Sequence, residues 1–253
     1  MSRQELRAPD AFQRVGVEAE GWIARNRNLV LGTVVATLAI FFAVMAARSL
    51  SQRREEKART ALGTAVGVLS RPVVADLPPG SNEDPAPFKS EKERDEAAVA
   101  ALSGVLSGYP GTKAALTATL PLAATEVRLG QLDPGITHYE AYLRDAPSTE
   151  PLRVAALDGL GHGREAKGEL PQALEAYERM AREEGAGFEA GMGAFNRARV
   201  LAMMGKKQEA AQGFAELIAA NPGTPAARMA QERLSALEAE GFKAVVAPKP
   251  DAG

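Results

Sequence analysis

GQLDPGITHYEAYLRDAP (130–147), GELPQALEAYERMAREEG (168–185) and GKKQEAAQGFAELIAANP (205–222) are three versions of one segment. Aligned on Gly130, Gly168 and Gly205, they are spaced 38 and 37 residues apart. Five residues on comes a small residue (Gly135, Ala173, Ala210), and nine on comes an aromatic (Tyr139, Tyr177, Phe214). Seventeen on stands a helix stopper: Pro147, Gly185 or Pro222. Seven before each glycine stands another small residue: Ala123, Gly161 or Ala198. Pro110 adds one more stopper 37 residues ahead of Pro147, with Ala98 and Leu102 in the matching earlier positions.

The recurrence has a mechanical reading. The glycine lets the chain turn tightly between two antiparallel helices. The small residues let those helices approach, and the aromatic fills the gap between stacked hairpins. The stopper ends one hairpin, and Thr112 and Thr224 are placed to cap the next helix. Asp133-Pro134 reads as a cap and first-turn pair. No apolar/polar alternation of strand type interrupts this pattern. A repeat of this kind resembles the tetratricopeptide signature of about 34 residues, its helices here longer by about a turn. Arg164 and Glu126 depart from it, standing where an aromatic is usual, and Arg197 stands in place of a leucine.

Upstream, LVLGTVVATLAIFFAVMAA (29–47) runs nineteen residues without a charge. As a helix it spans about 28 Å, close to the hydrocarbon thickness of a bilayer. A cleaved signal peptide, with Val44-Met45-Ala46 as its cleavage site, is the competing reading. Its apolar core would be shorter and its leader short and basic, whereas the leader here carries Glu5, Asp10, Glu18 and Glu20. An uncleaved anchor fits better. Trp22 suits an interfacial aromatic, and Arg25, Arg27 and Arg48 bracket the apolar run. Positive charges flank both ends, with more at Arg48, Arg53, Arg54, Lys57 and Arg59, but long domains translocate largely regardless of charge. Charge alone therefore leaves the orientation open. Gly32/Ala36 and Ala39/Ala43/Ala47 place small residues where a partner helix could pack.

The fold class expected is all-α: one N-terminal transmembrane helix followed by a tetratricopeptide-like α-solenoid. The chain divides into an N-terminal tail (1–28), the transmembrane helix (29–47), a juxtamembrane helix (48–69), a flexible linker (70–90), a repeat domain (91–242) that folds alone, and a disordered tail (243–253). Five prolines between residues 71 and 90 carry the linker reading. Glycines at 185, 187, 191 and 193 predict a loose connection. Net charge is +1 over residues 1–28, +4 over 48–71 and −7 over 72–253. The basic patch can attract anionic headgroups, and the acidic remainder argues against nucleic-acid binding.

Enzymatic chemistry finds little support. There is no cysteine, hence no disulfide, thiolate site or cysteine nucleophile. His138 and His162 are the only histidines and are too isolated for a metal cluster or a nucleophile–base pair. GLGHGREAKG (159–168) lacks phosphate-loop spacing, and its glycines fall at helix-packing positions. The expectation is no catalytic residue, no metal and no cofactor.

WIARNRNLVLG, one membrane helix, the exit helix RREEKARTAL and the divergent repeats together resemble the YfgM family. YPGTKAA and NPGTPAARMAQERL are also similar to repeats of the YbgF-type Tol–Pal accessory proteins. The YfgM resemblance implies an ancillary subunit of the SecYEG translocon in the bacterial inner membrane, with a periplasmic repeat domain. Its implied partners are translocon subunits, periplasmic chaperones or client polypeptides. The alternative is an accessory component of another envelope machine, such as Tol–Pal, cell division, a pilus or motility.

Carried over by register, the family's groove positions fall on Val127 and Arg128 in the first repeat and on Asp158, His162 and Glu165 in the second. In the third they fall on Met192, Phe195, Arg199 and Met203. The competing reading of Phe195 and the methionines is core between hairpins.

Overall fold

The computed structural model describes residues 22, 24–75, 86–185 and 190–244. Most of the tail expected at 1–28, residues 76–85 of the linker and nearly all of the tail 243–253 lie outside the described residues. Among those described there are nine helices: α1 Arg27–Leu69, α2 Glu91–Gly108, α3 Lys113–Arg128, α4 Leu132–Asp145, α5 Arg153–Ala166, α6 Leu170–Glu183, α7 Met192–Met203, α8 Lys207–Ala220 and α9 Pro225–Ala239. The only β-pairing among them is an isolated bridge between Val73 and Phe88.

Two compact units divide at Arg54/Glu55. The first holds the apolar run, whose side chains are exposed, Leu29 at 63% and Phe42 at 65%. With a mean hydropathy of 2.5 over its most apolar window, α1 is long and apolar enough to cross a membrane.

The second unit is a stack of hairpins, α3–α4, α5–α6 and α7–α8, closed by α9. Its three turns are built alike. Gly130, Gly168 and Gly205 take φ of 78°, 81° and 79°, the left-handed region that strains any side chain. The next N–H reaches back to the helix it has left: Gln131 to the Glu126 carbonyl (2.8 Å), Glu169 to Arg164 (2.9 Å), Lys206 to Leu201 (2.9 Å). This closure satisfies carbonyls that a helix end leaves without partners. Because the glycine has already redirected the chain, α4 begins at Leu132 with Gln131 in the cap position, and Asp133 lies in its first turn instead of capping it. Thr112 and Thr224 do cap α3 and α9, accepting from the N–H of Ala115 (3.1 Å) and Ala227 (3.2 Å).

Aromatic and small residues interlock as the repeat spacing predicts. A Cβ on Gly161 would lie 2.4 Å from the Tyr177 ring, and one on Gly159 would lie 2.3 Å from the Tyr139 ring. Tyr177 is fully buried and Phe214 is 1% exposed; a ring so placed contributes about 1.5–3 kcal/mol. Two clusters of core residues result, one over α3–α6 with Val200 of α7 and one over α7–α9, with Leu174 and Met192 packed against both. The outer face of α9 is polar (Gln231, Glu232, Ser235 and Glu238 are exposed), as befits the last helix of a stack.

The N-terminal boundary differs from the expected one at residue 91. Ala58 and Ala65 of α1 are 0% and 2% exposed, and Ala65 packs with Leu102 and Val105 of α2 and Ala118 and Leu122 of α3. The Glu55 carboxylate accepts from the N–H groups of Lys113 (2.9 Å) and Ala114 (3.2 Å), so α1 supplies a cap to α3. The compact unit therefore begins at Glu55. The connection expected as a linker is pinned at both ends: Val74 N–H donates to the Phe88 carbonyl (2.8 Å) and Phe88 N–H to that of Pro72 (3.0 Å). Arg71 stacks on the Phe88 ring at 4.2 Å.

The glycine-dense connection is likewise tighter than its composition predicts at its described end. Residues 186–189 lie outside the described residues. The Glu184 carboxylate accepts from the N–H groups of Gly191 (3.0 Å) and Gly193 (2.9 Å), tying the start of α7 to the end of α6.

Candidate protein-binding face

Helices α3, α5 and α7 are the first helices of successive hairpins. On α5, Asp158, His162 and Glu165 fall at i, i+4 and i+7, one face of the helix. On α7, Asn196, Arg199 and Met203 fall at i, i+3 and i+7. The two rows meet. Asn196 Nδ2 donates to Asp158 Oδ1 at 3.1 Å. Arg199 presents Nη1 and Nη2 to the two Glu165 oxygens, each at 2.6 Å, the parallel two-bond geometry a guanidinium makes with a carboxylate.

Tyr177 rises from α6 beneath this pair and donates its hydroxyl to Glu165. The His162 ring stands edge-on to Tyr177 at 5.8 Å between centroids, and its Nδ1 lies 2.9 Å from the Asp158 carbonyl. Burial alone raises the Glu165 carboxyl, but the bonds from Arg199 and Tyr177, with the guanidinium charge, hold it below the ordinary value. Burial and the Glu165 carboxylate push the Tyr177 hydroxyl far up, so it remains a donor. Burial also pushes Tyr139 up to about 12. The centre is thus a fixed, internally satisfied polar cluster. Its margins are open: the His162 side chain is 55% and Asp158 40% exposed, and Met203 is 53% exposed.

Of the residues expected on this face, Asp158, His162, Glu165, Arg199 and Met203 come together. Phe195 does not. It is 7% exposed and packs in the core, its ring 5.7 Å from that of Phe214. The core reading of Phe195 is the one the packing bears out, because it lies one residue, about 100° of helix, from Asn196. Met192 is half-buried between the two core clusters. A Val127 methyl carbon fills the space beside Gly135, where a Cβ would meet it at 2.6 Å. Arg128 turns to α2, its Nε bonded to Asp95 Oδ2 at 2.5 Å. Asn196 and Tyr177 were not among the expected face residues. Only the register of Asn196, one turn before Arg199, could have signalled it.

Among the described residues no group of three or more His, Asp and Glu could hold a metal ion. Asp95 is 3% exposed, and the Arg128 bond and charge hold its carboxyl below the ordinary value. The sign follows. Stabilisation from this pair is complete above 3.8, the ordinary value, and is lost as pH falls through the lower folded-state value. Asp95→Asn should lower the thermal midpoint by a few degrees at neutral pH and flatten its fall in acid. Melting curves on both proteins from neutral pH down to pH about 2 check this.

No protein-family profile and no curated protein matches the sequence. Solved structures do resemble the fold. TPR-like repeats of a Podosopora anserina protein described as a kinesin light chain share 16% identity, over 74% of this chain and 88% of that one, with a TM-score of 0.54. A tetratricopeptide repeat protein from Parabacteroides merdae shares 18% identity, over 59% of this chain and 56% of that one, with a TM-score of 0.48. The first likeness defines the fold class: an α-solenoid of tetratricopeptide-like hairpins.

Proposed function

We propose that this chain is a non-enzymatic, single-pass inner-membrane protein whose solenoid binds segments of other proteins along the α5–α7 face. The observation that carries the reading is the arrangement of exposed Asp158, His162 and Met203 around the fixed Glu165–Arg199 pair on adjacent first helices. A rigid polar centre with adaptable margins suits contact with varied polypeptide, and exposed methionine is the flexible apolar element of such surfaces. Affinity should be weak, micromolar in class, or about −8 kcal/mol. The resemblance to the YfgM family supports a cytoplasmic N-terminus and a periplasmic solenoid working beside the Sec translocon, its partners translocon subunits, periplasmic chaperones or emerging clients.

One experiment addresses face and orientation together. Spheroplasts bearing the full chain are treated with a membrane-impermeant crosslinker, and adducts are identified by mass spectrometry. Adducts should form without lysis and fall at least fivefold in His162→Ala with Met203→Ala. Stability should stay within about 1 kcal/mol, since both side chains are exposed. Phe195 is left intact, because truncating a core aromatic costs about 3–5 kcal/mol. Adducts that need lysis would reverse the orientation, and adducts unchanged in the double variant would remove the face assignment.

A further inference from the structure

A second surface lies on other helices. Between α4 and α6, the second helices of successive hairpins, a cleft of about 300 Å³ opens. Its floor is apolar and buried: Leu143, Leu160 and Ala176 are 7%, 6% and 3% exposed. Its walls carry three guanidinium groups, those of Arg144, Arg164 and Arg179.

The three are not equivalent. Arg164 is committed, donating to Glu140 and Glu169, and serves to fix the wall. Among the described residues Arg144 pairs only with its chain neighbour Asp145, with side chains 70% and 55% exposed, an ion pair of little strength. Arg179 makes no hydrogen bond or ion pair with any of the described residues. Two guanidinium groups are thus available beside an apolar floor, opposed in the cleft by the Glu175 carboxylate. The planar guanidinium matches a carboxylate in two-bond geometry. The cleft volume is at the lower end for ligand sites. It fits one aliphatic side chain and flanking carboxylates better than a cofactor.

We propose that this cleft is a second docking site, which takes an acidic, leucine-bearing segment of a partner protein. The solenoid as a whole is acidic, so the attraction is local and falls steeply with salt. The site is separate from the α5–α7 face, and either can fail without the other.

The test uses the full chain in non-ionic detergent and a fluorescein-labelled peptide of alternating glutamate and leucine, read by anisotropy at low salt. The wild type should bind it, and a lysine–leucine peptide should not bind. Arg144→Glu with Arg179→Glu should weaken the acidic peptide at least about tenfold, or 1.4 kcal/mol, and should acquire affinity for the lysine–leucine peptide. Arg144→Gln with Arg179→Gln should also weaken it, and serves should the reversed pair misfold. Arg53→Glu with Arg54→Glu, on the juxtamembrane stretch, should leave binding within about twofold. No binding by the wild type, no loss in either cleft variant, or an equal loss in the juxtamembrane variant would each overturn the proposal.

Discussion

A chain beginning at Ser90 should be less stable by about 5 kcal/mol or more than one beginning at Arg53, and most of its molecules should be unfolded. The truncation removes the last four turns of α1, including buried Ala58 and Ala65 and the partly buried Ala61, Leu62 and Leu69. It uncovers Leu102, Val105, Ala118 and Leu122 on α2 and α3. A large aliphatic side chain loses about 1.5–3 kcal/mol on full exposure. A few such losses consume a total stability of about 5–15 kcal/mol. The cap that Glu55 gives to α3 goes as well; Glu55→Ala alone should cost about 1 kcal/mol. Urea denaturation of the two truncations, followed by circular dichroism, reads the difference. Equal midpoints would mean that the end of α1 decorates the solenoid without supporting it.

Gly193→Ala should cost about 3 kcal/mol, an unusual penalty for one methyl group. A Cβ there would lie 2.4 Å from the backbone nitrogen of Ala181 and 2.8 Å from its Cα. Backbone does not swing aside as a side-chain tip does, so α6 and α7 must separate. Overpacking of this kind costs about 1–3 kcal/mol, occasionally more. Two further contacts suffer at the same joint. The Gly193 N–H bond to Glu184 lengthens, and Leu174 and Met192, which bind the two core clusters together, lose contact. Gly104→Ala in α2 is the control. No atom outside its own stretch of helix lies within 4 Å of its Cβ position, and alanine in a helix interior gains about 0.5–1 kcal/mol. The two variants should move the urea midpoint in opposite directions.

These two cases also mark how far the sequence could be read. The turn glycines and the threonine caps were legible because each rests on contacts a few residues apart, and the stacked aromatics because they recur at a fixed period with the small residues they meet. The role of Gly193 was hidden for the opposite reason. Gly193 is small because another helix approaches it, and nothing near it in the chain shows that approach. The end of α1 escaped because its buried positions are mostly alanines, which draw no apolar stripe, and because Glu55 caps a helix 58 residues away. On the α5–α7 face, the register carried over from the resemblance named Asp158, His162, Glu165 and Arg199, which the structure brings together. It could not separate Phe195 from Asn196, whose directions differ by one residue while one is core and the other joins the polar cluster.

The Glu165–Arg199 pair carries a consequence for how this surface can change. An arginine on the first helix of a hairpin is a ready receptor for an incoming carboxylate, but here Glu165 already occupies both of its outward nitrogens. The molecule holds its own competitor, so an acidic ligand gains nothing at Arg199 unless it first displaces a neighbour that is tethered and hydrogen-bonded to Tyr177. On the face proposed to bind protein segments, selectivity against acidic ligands would therefore come from occupancy, with no clash required. The restraint rests on one side chain. A single glutamate-to-glutamine exchange at position 165 keeps the shape and removes the charge, so the lineage stands one mutation from a new ligand preference without rebuilding the scaffold.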